Sequence, residues 1–255
     1  MVSEFMLQQT PVVRVIPVYE QWIRMWPTPS ALAAVPQAEV VRAWGRLGYP
    51  RRALRLHQAA TVIDRDFDDQ VPQTYEELIS LPGVGDYTAS AILAFAFVKR
   101  SVVIDTNIRR VLARASLGVQ WPGVSISAAE RELAQSLVPQ SDKKSAVWSA
   151  AIMELGATVC VAASPDCAAC PIAKKCQWLA AGLPQSPRPH RTQAWHGTDR
   201  QCRGNILQAL RESDAPLSRN ELLATSPDAD QFERCLNALE AEGFITRTRQ
   251  GWNLK

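Results

Sequence analysis

Residues 78–97 read LISLPGVGDYTASAILAFAF, and their reading decides the fold. Apolar residues at helical spacing lie on both sides of Pro82-Gly83-Val84-Gly85, where proline and two glycines interrupt the period. The pattern predicts one helix ending before Pro82 and a second beginning after Gly85. Glycine lets a backbone come close to a ligand, and a helix start offers unpaired N–H groups that receive a phosphate without side-chain charge. The same turn would also serve as a plain connector between packed helices.

Outward from this turn, the helical period continues to about residue 184. It recurs in VIPVYEQWIRMW (15–26), PSALAAVPQAEVVRAWGRLGY (29–49), RALRLHQAATVI (52–63) and NIRRVLARASLG (107–118), with Pro27, Pro36, Gly48 and Pro72 as breaks. Short helices on short connections predict a compact, all-α, multi-helix region. LPQSPRPHRTQAWHG (183–197) is rich in proline and polar residues and reads as a linker. Beyond it stand three short helical patterns and FITRTRQGWNLK (244–255), which alternates like a hairpin across Gln250-Gly251. That order suggests a winged-helix-like module. The expected divisions are 1–99, 100–184, a linker at 185–198, and 199–255.

The chain has 255 residues, of which 47% are apolar and 21% charged, as in an ordinary globular protein with a sizeable core. A net charge of +3 permits a nucleic-acid partner without arguing for one. No apolar run is long enough for a membrane span, and no secretory signal opens the chain. A cytoplasmic location is therefore expected. Six cysteines in such a chain point to metal or free thiols before disulfides.

Four of them, Cys160, Cys167, Cys170 and Cys176, stand as C-x6-C-x2-C-x5-C. Zinc sites usually pair two short C-x-x-C-like knuckles, and iron–sulfur centres take four thiolates at less regular spacing. Spacing alone leaves both metals open. Cys202 and Cys235 fall on apolar faces of the last helices and read as core. His57, His190 and His196 lack ligand spacing, and the eight tryptophans also read as core.

This cysteine spacing after a helical region resembles the [4Fe–4S] loop of the endonuclease III and MutY branches of the helix-hairpin-helix DNA glycosylases. The resemblance covers about residues 2–180, and it favours an iron–sulfur cluster over zinc. It makes L-P-G-V-G the DNA-binding hairpin, with Gly83, Val84 and Gly85 against phosphate, and implies a phosphate contact for Lys174 and Lys175. Endonuclease III-like members carry a Schiff-base lysine two residues after the second glycine. Here Tyr87 stands there, implying a glycosylase without strand-cutting chemistry.

Two carboxylates complete the resemblance. Asp105 in VVIDTNIRRVLAR (102–114) precedes a helical pattern, as an N-cap does, and the resemblance makes it the aspartate that stabilises a sugar cation, with Asn107 orienting it. VSEFMLQQTP (2–11) resembles the S-E-x-M-L-Q-Q-T signature of MutY-type adenine glycosylases. Breaking an N-glycosidic bond needs a protonated base and a stabilised sugar cation, as paired carboxylates supply in sugar hydrolysis. Glu4, buried beside apolar neighbours, would hold a proton for N7 of adenine. The resemblance further implies DNA contacts by Gln8 and Gln9, a wedge at Tyr49, and phosphate contacts at Arg51 and Arg52. Pro50 replaces the family's usual second tyrosine.

Two departures stand out. Family members carry further helices ahead of the glutamate, so a start upstream of Met1 is expected. Many also end in a Nudix-like domain that recognises 8-oxoguanine, where residues 199–255 look like a winged helix. The expected activity is excision of adenine opposite 8-oxoguanine or guanine by a monomer acting on double-stranded DNA. A mismatch glycosylase for another base, or a non-catalytic iron–sulfur DNA-binding regulator, is the alternative.

Overall fold

The computed structural model describes residues 1–187 and 195–255. His190 and much of the expected linker lie outside the described residues. The chain opens with α1 (Val2–Leu7), α2 (Val12–Met25), α3 (Pro29–Ala33), α4 (Gln37–Trp44) and α5 (Arg51–Asp66). Next come α6 (Tyr75–Ser80), α7 (Asp86–Phe95), α8 (Thr106–Leu117), α9 (Ala128–Leu137) and α10 (Asp142–Thr158). A 3-10 turn (Ala173–Lys175) leads to α11 (Gln177–Ala180). Finally α12 (Asp199–Glu212), α13 (Arg219–Leu223) and α14 (Ala229–Ala241) precede strands β1 (Ile245–Arg247) and β2 (Trp252–Leu254). The all-α class with a small C-terminal hairpin is the one the periodicity indicates. None of the described helices is long and apolar enough to cross a membrane.

These elements form two compact units. One comprises Met1–Pro72, Leu81–Gly83 and Gln193–Lys255; the other comprises Gln73–Ser80 and Val84–Thr192. This grouping cuts across the divisions expected from the sequence.

In the first unit, α4 buries Val40, Val41 and Trp44, and α5 buries Leu54, Leu56, Ala60 and Ile63, each set at helical spacing. Trp22 meets Trp26 and Trp44 edge to face, at 4.8 and 5.5 Å between centroids. Thr28 caps α3 by accepting from the Ala31 N–H, and Pro29 fills the first helical position. In the C-terminal part, α12 and α14 bury Cys202, Ile206, Leu210, Phe232, Cys235 and Leu239. The same apolar cluster includes Val41 and Leu54. The module after the linker therefore shares its core with α4 and α5. Arg42 donates to the carbonyls of Arg211 and Ser213, and Arg211 returns a bond to the Val41 carbonyl. β1 and β2 pair antiparallel, and Leu217 bridges to Trp252. Gly251 is required there, since a Cβ would stand 2.2 Å from the Leu217 carbonyl oxygen.

In the second unit, Ala91 and Ala94 of α7, Ile108 and Leu112 of α8 and Ala134 of α9 build one cluster with Val103 and Ile104. Asp105 caps α8, which Gly118 ends in the left-handed region at φ 67°. Along α10 the buried residues are the small Ser145, Ser149 and Gly156, a seam that lets α10 lie close on α8.

Candidate active site

Asp105 is half-buried, and its Oδ1 accepts the Ile108 N–H at 2.6 Å. The cap fixes the carboxylate at the positive end of α8. Asn107, one residue into the helix, accepts from Arg110 Nη2 at 2.9 Å. Arg110 is buried and also donates to the carbonyls of Gly156, at 2.5 Å, and Cys160, at 2.7 Å. One guanidinium thus joins the Asp105–Asn107 turn to the first cysteine of the cluster motif. Tyr87 lines a cleft of about 300 Å³ with Ser90, Val102 and Ile104. Asp86 at its rim accepts from the Tyr75 hydroxyl at 2.9 Å and pairs with Arg131 at 3.2 Å.

Cys160, Cys167, Cys170 and Cys176 line one cavity in this unit, walled by Val111, Leu155 and Trp178. Burial pushes the Cys167 thiol up, and the other three sulfurs, close enough to act on it, push it further. Arg114, fully buried, donates to Cys160 Sγ at 3.4 Å and to the Val161 carbonyl at 2.9 Å. Its guanidinium lies 4.6 Å from the Trp178 ring. Among the described residues, no three His, Cys, Asp or Glu side chains form a ready single-ion site. Four thiols around a shared apolar-walled cavity, one receiving an N–H, are the donor chemistry of a thiolate-held cluster. Lys174 and Lys175 stand exposed on the turn before Cys176.

Glu4 sits on α1 in the first unit, half-buried, and its neighbours Phe5 and Met6 are fully buried. The short helix is held from its C-terminal end. Arg52 Nη1 donates to the carbonyls of Phe5, Met6 and Gln8 at 2.8, 2.8 and 2.5 Å. Its Nη2 donates to Thr10 Oγ1 at 2.9 Å and the Gly48 carbonyl at 3.0 Å. Burial lowers the Arg52 pKa to about 10. The expected phosphate contact at Arg52 is corrected: the side chain is buried, and its Nη1 and Nη2 donors are engaged inside the protein, holding the helix that carries Glu4. Arg51 is more exposed but pairs with Glu242 at 2.8 Å.

Gly83 has φ 80°, and a Cβ there would stand 2.7 Å from Arg55 Cβ and 2.9 Å from Phe5 Cε1. Its glycine is demanded by the protein's own packing. A Cβ at Gly85 would meet nothing within 4 Å, while Val84 is buried. Gln8 is half-buried. Gln9 and Tyr49 hold left-handed backbones at φ 57° and 46°, rare for such residues. Both line one cleft of about 880 Å³ in the first unit.

That cleft was not foreseen. Trp195 on its wall is 45% exposed, which corrects the expectation that all eight tryptophans are core. Arg110 and Arg114 were also missed; both lie inside a helical pattern, where an arginine gives no sign of facing inward. His57 is buried with Nε2 3.0 Å from the Val35 carbonyl, His196 is exposed, and Cys202 and Cys235 are core.

The chain is similar to known proteins in sequence and in fold. An adenine DNA glycosylase of Mycobacterium tuberculosis is 49% identical over 98% of this chain and 83% of its own length. One of Mycolicibacterium smegmatis is 47% identical over 98% of this chain and 85% of its own. The solved structure of a thermostable thymine-DNA glycosylase superposes with a TM-score of 0.62 at 26% identity, covering 71% of this chain and 82% of that one. Residues 2–136 match the HhH-GPD superfamily of base excision DNA repair proteins, and the chain belongs to that superfamily.

Proposed function

We propose that this protein excises adenine mispaired with 8-oxoguanine or guanine, hydrolysing the N-glycosidic bond without cutting the strand. The observation that carries the reading is the Asp105 carboxylate, fixed at the N-terminus of α8 by the Ile108 N–H. A carboxylate held there has no need to reorganise when a sugar cation develops beside it. Glu4 gives its proton to adenine N7, the C1′–N9 bond breaks, and water adds to C1′ while its proton returns to Glu4. Tyr87 offers no amine for a Schiff base, so the reaction ends at the abasic site. Asn107 is held by Arg110 and keeps the turn around Asp105 in place.

Cys160, Cys167, Cys170 and Cys176 would hold a [4Fe–4S] cluster, which supplies a rigid thiolate-bound anchor for the 160–176 loop. Lys174 and Lys175 would then meet phosphate from that loop, and Gly85 would admit another at the start of α7.

The test is release of free adenine from a duplex carrying adenine opposite 8-oxoguanine, with Glu4→Gln beside the native chain. Release by the native chain, and a loss of about a hundredfold or more in Glu4→Gln, supports the reading. Equal release by both removes Glu4 from the mechanism. Release of thymine from a mismatch, with none of adenine, favours the other-base alternative. Duplex binding with no release at all favours the regulator.

A further inference from the structure

The cleft of about 880 Å³ in the first unit is walled by α12, the 45–50 loop and the start of α5, and its lining is strongly cationic. Arg51 and Arg203 are both taken up by Glu242, the one carboxylate on this wall among the described residues. Arg14, Arg46, Arg200 and Arg211 line the same space with no carboxylate of that wall against them, Arg14 donating to the Arg46 carbonyl and Arg211 to that of Val41. Arg46 reaches Glu212 only at 3.8 Å, with both side chains largely exposed. Arg211 is brought down to about 10 by burial and then by the positive charge of Arg46. Like charges are therefore held together at one place, a cost that an anion would relieve.

The second feature is flat surface. The Arg200 guanidinium stacks 4.3 Å from the Tyr49 ring and 5.1 Å from the Trp195 ring. Trp195 is partly open to solvent, and Tyr49 is held in its left-handed backbone. Planar guanidinium and indole faces beside unneutralised arginines are the chemistry that takes a base by stacking and its phosphates by charge. The volume lies in the range of sites that hold small organic ligands.

We infer that this cleft receives an unstacked nucleotide of a bound DNA strand, with the base against Trp195 and Arg200 and the flanking phosphates on Arg14 and Arg46. The inference deepens the reading above by adding a strand-binding subsite formed with the C-terminal module, but it does not depend on adenine chemistry.

Binding is measured by anisotropy on the full chain, using a fluorescein-labelled duplex with an abasic site opposite 8-oxoguanine, and the same duplex fully paired. No base remains to be excised, so failure of catalysis cannot mask the result. Arg46→Ala and Arg200→Ala are each expected to weaken binding about tenfold, and to lower the slope of log K against log salt by about one. Trp195→Ala is expected to weaken the abasic duplex more than the paired one. Unfolding midpoints equal to the native chain's confirm that these exposed changes leave the fold intact. Native affinity and salt slope in all three variants would overturn the inference. So would deoxyguanosine monophosphate binding that Arg200→Ala abolishes while duplex binding stays intact, since the cleft would then serve free nucleotides.

Discussion

Gly156 and Asn107 are packed so closely that a methyl group on the glycine would stand 2.8 Å from both the Cβ and the carbonyl oxygen of the asparagine. The contact joins α10 to the first turn of α8, two residues from the Asp105 carboxylate. Arg110 closes the arrangement by donating to Asn107 Oδ1 and to the Gly156 carbonyl.

Gly156→Ala should therefore act on the site as well as on stability. A loss of about 1–3 kcal/mol is expected from overpacking. A fall in the single-turnover rate of adenine release should exceed what the unfolded fraction explains. Calorimetry paired with single-turnover kinetics measures both. A native rate in the folded variant would mean that Asn107 tolerates displacement.

Arg52→Ala removes five internal hydrogen bonds at 3.0 Å or less from a buried site. It should cost about 2–4 kcal/mol in urea unfolding, because the carbonyls of Phe5, Met6 and Gln8 lose their Arg52 donor, while the Gly48 carbonyl keeps Trp44 Nε1 at 3.0 Å. Arg52→Lys should restore little, since one ammonium cannot reach both the α1 carbonyls and the Gly48 side.

The two hairpin glycines should separate cleanly. Gly83→Ala strains a left-handed backbone and collides with Arg55 Cβ and Phe5, so its melting temperature should drop sharply. Gly85→Ala meets no protein atom and should stay within about 1 kcal/mol of native. If phosphate approaches there, Gly85→Ala will still weaken duplex binding in an anisotropy titration.

Glu242 predicts a pH dependence. Its hydrogen bonds to Arg203, aided by Arg51, hold its carboxyl below the usual glutamate value of 4.5, against the opposing effect of burial. A carboxyl lowered on folding adds stability above its unfolded pKa and loses it as pH falls through the folded one. The native chain should thus exceed Glu242→Gln by about 0.5–1 kcal/mol at neutral pH, since solvent screens part of the pairing. The gap should close at pH values below the usual glutamate range, and melting curves across pH read it directly.

The cysteine loop predicts colour. Purified aerobically with iron present, the protein should be brown and absorb near ~400 nm, as thiolate-bound iron does. Cys167→Ser should lose the band and melt earlier. A colourless native protein containing zinc by elemental analysis would replace the cluster with a single ion.

Much of this was legible locally. Asp105 caps α8, as its position just before an apolar period suggests. The pattern 244–255 is a hairpin, and Cys202 and Cys235 lie in the core. Arg52 was not legible as a clamp, because adjacent arginines at a helix start look alike whether they face solvent or protein. Its partners lie up to 47 positions away in the chain.

By itself the sequence determined the helical content, the turns that punctuate it, the caps and the order of the cysteines, because each depends on neighbours a few residues apart. Tertiary structure alone decided which arginines turn inward, that Val41 and Leu54 complete the core of the C-terminal module, and that Tyr49, Arg200 and Trp195 stack along one cleft. Those outcomes turn on burial and partner choice across long chain separations, and no local pattern of residues encodes them.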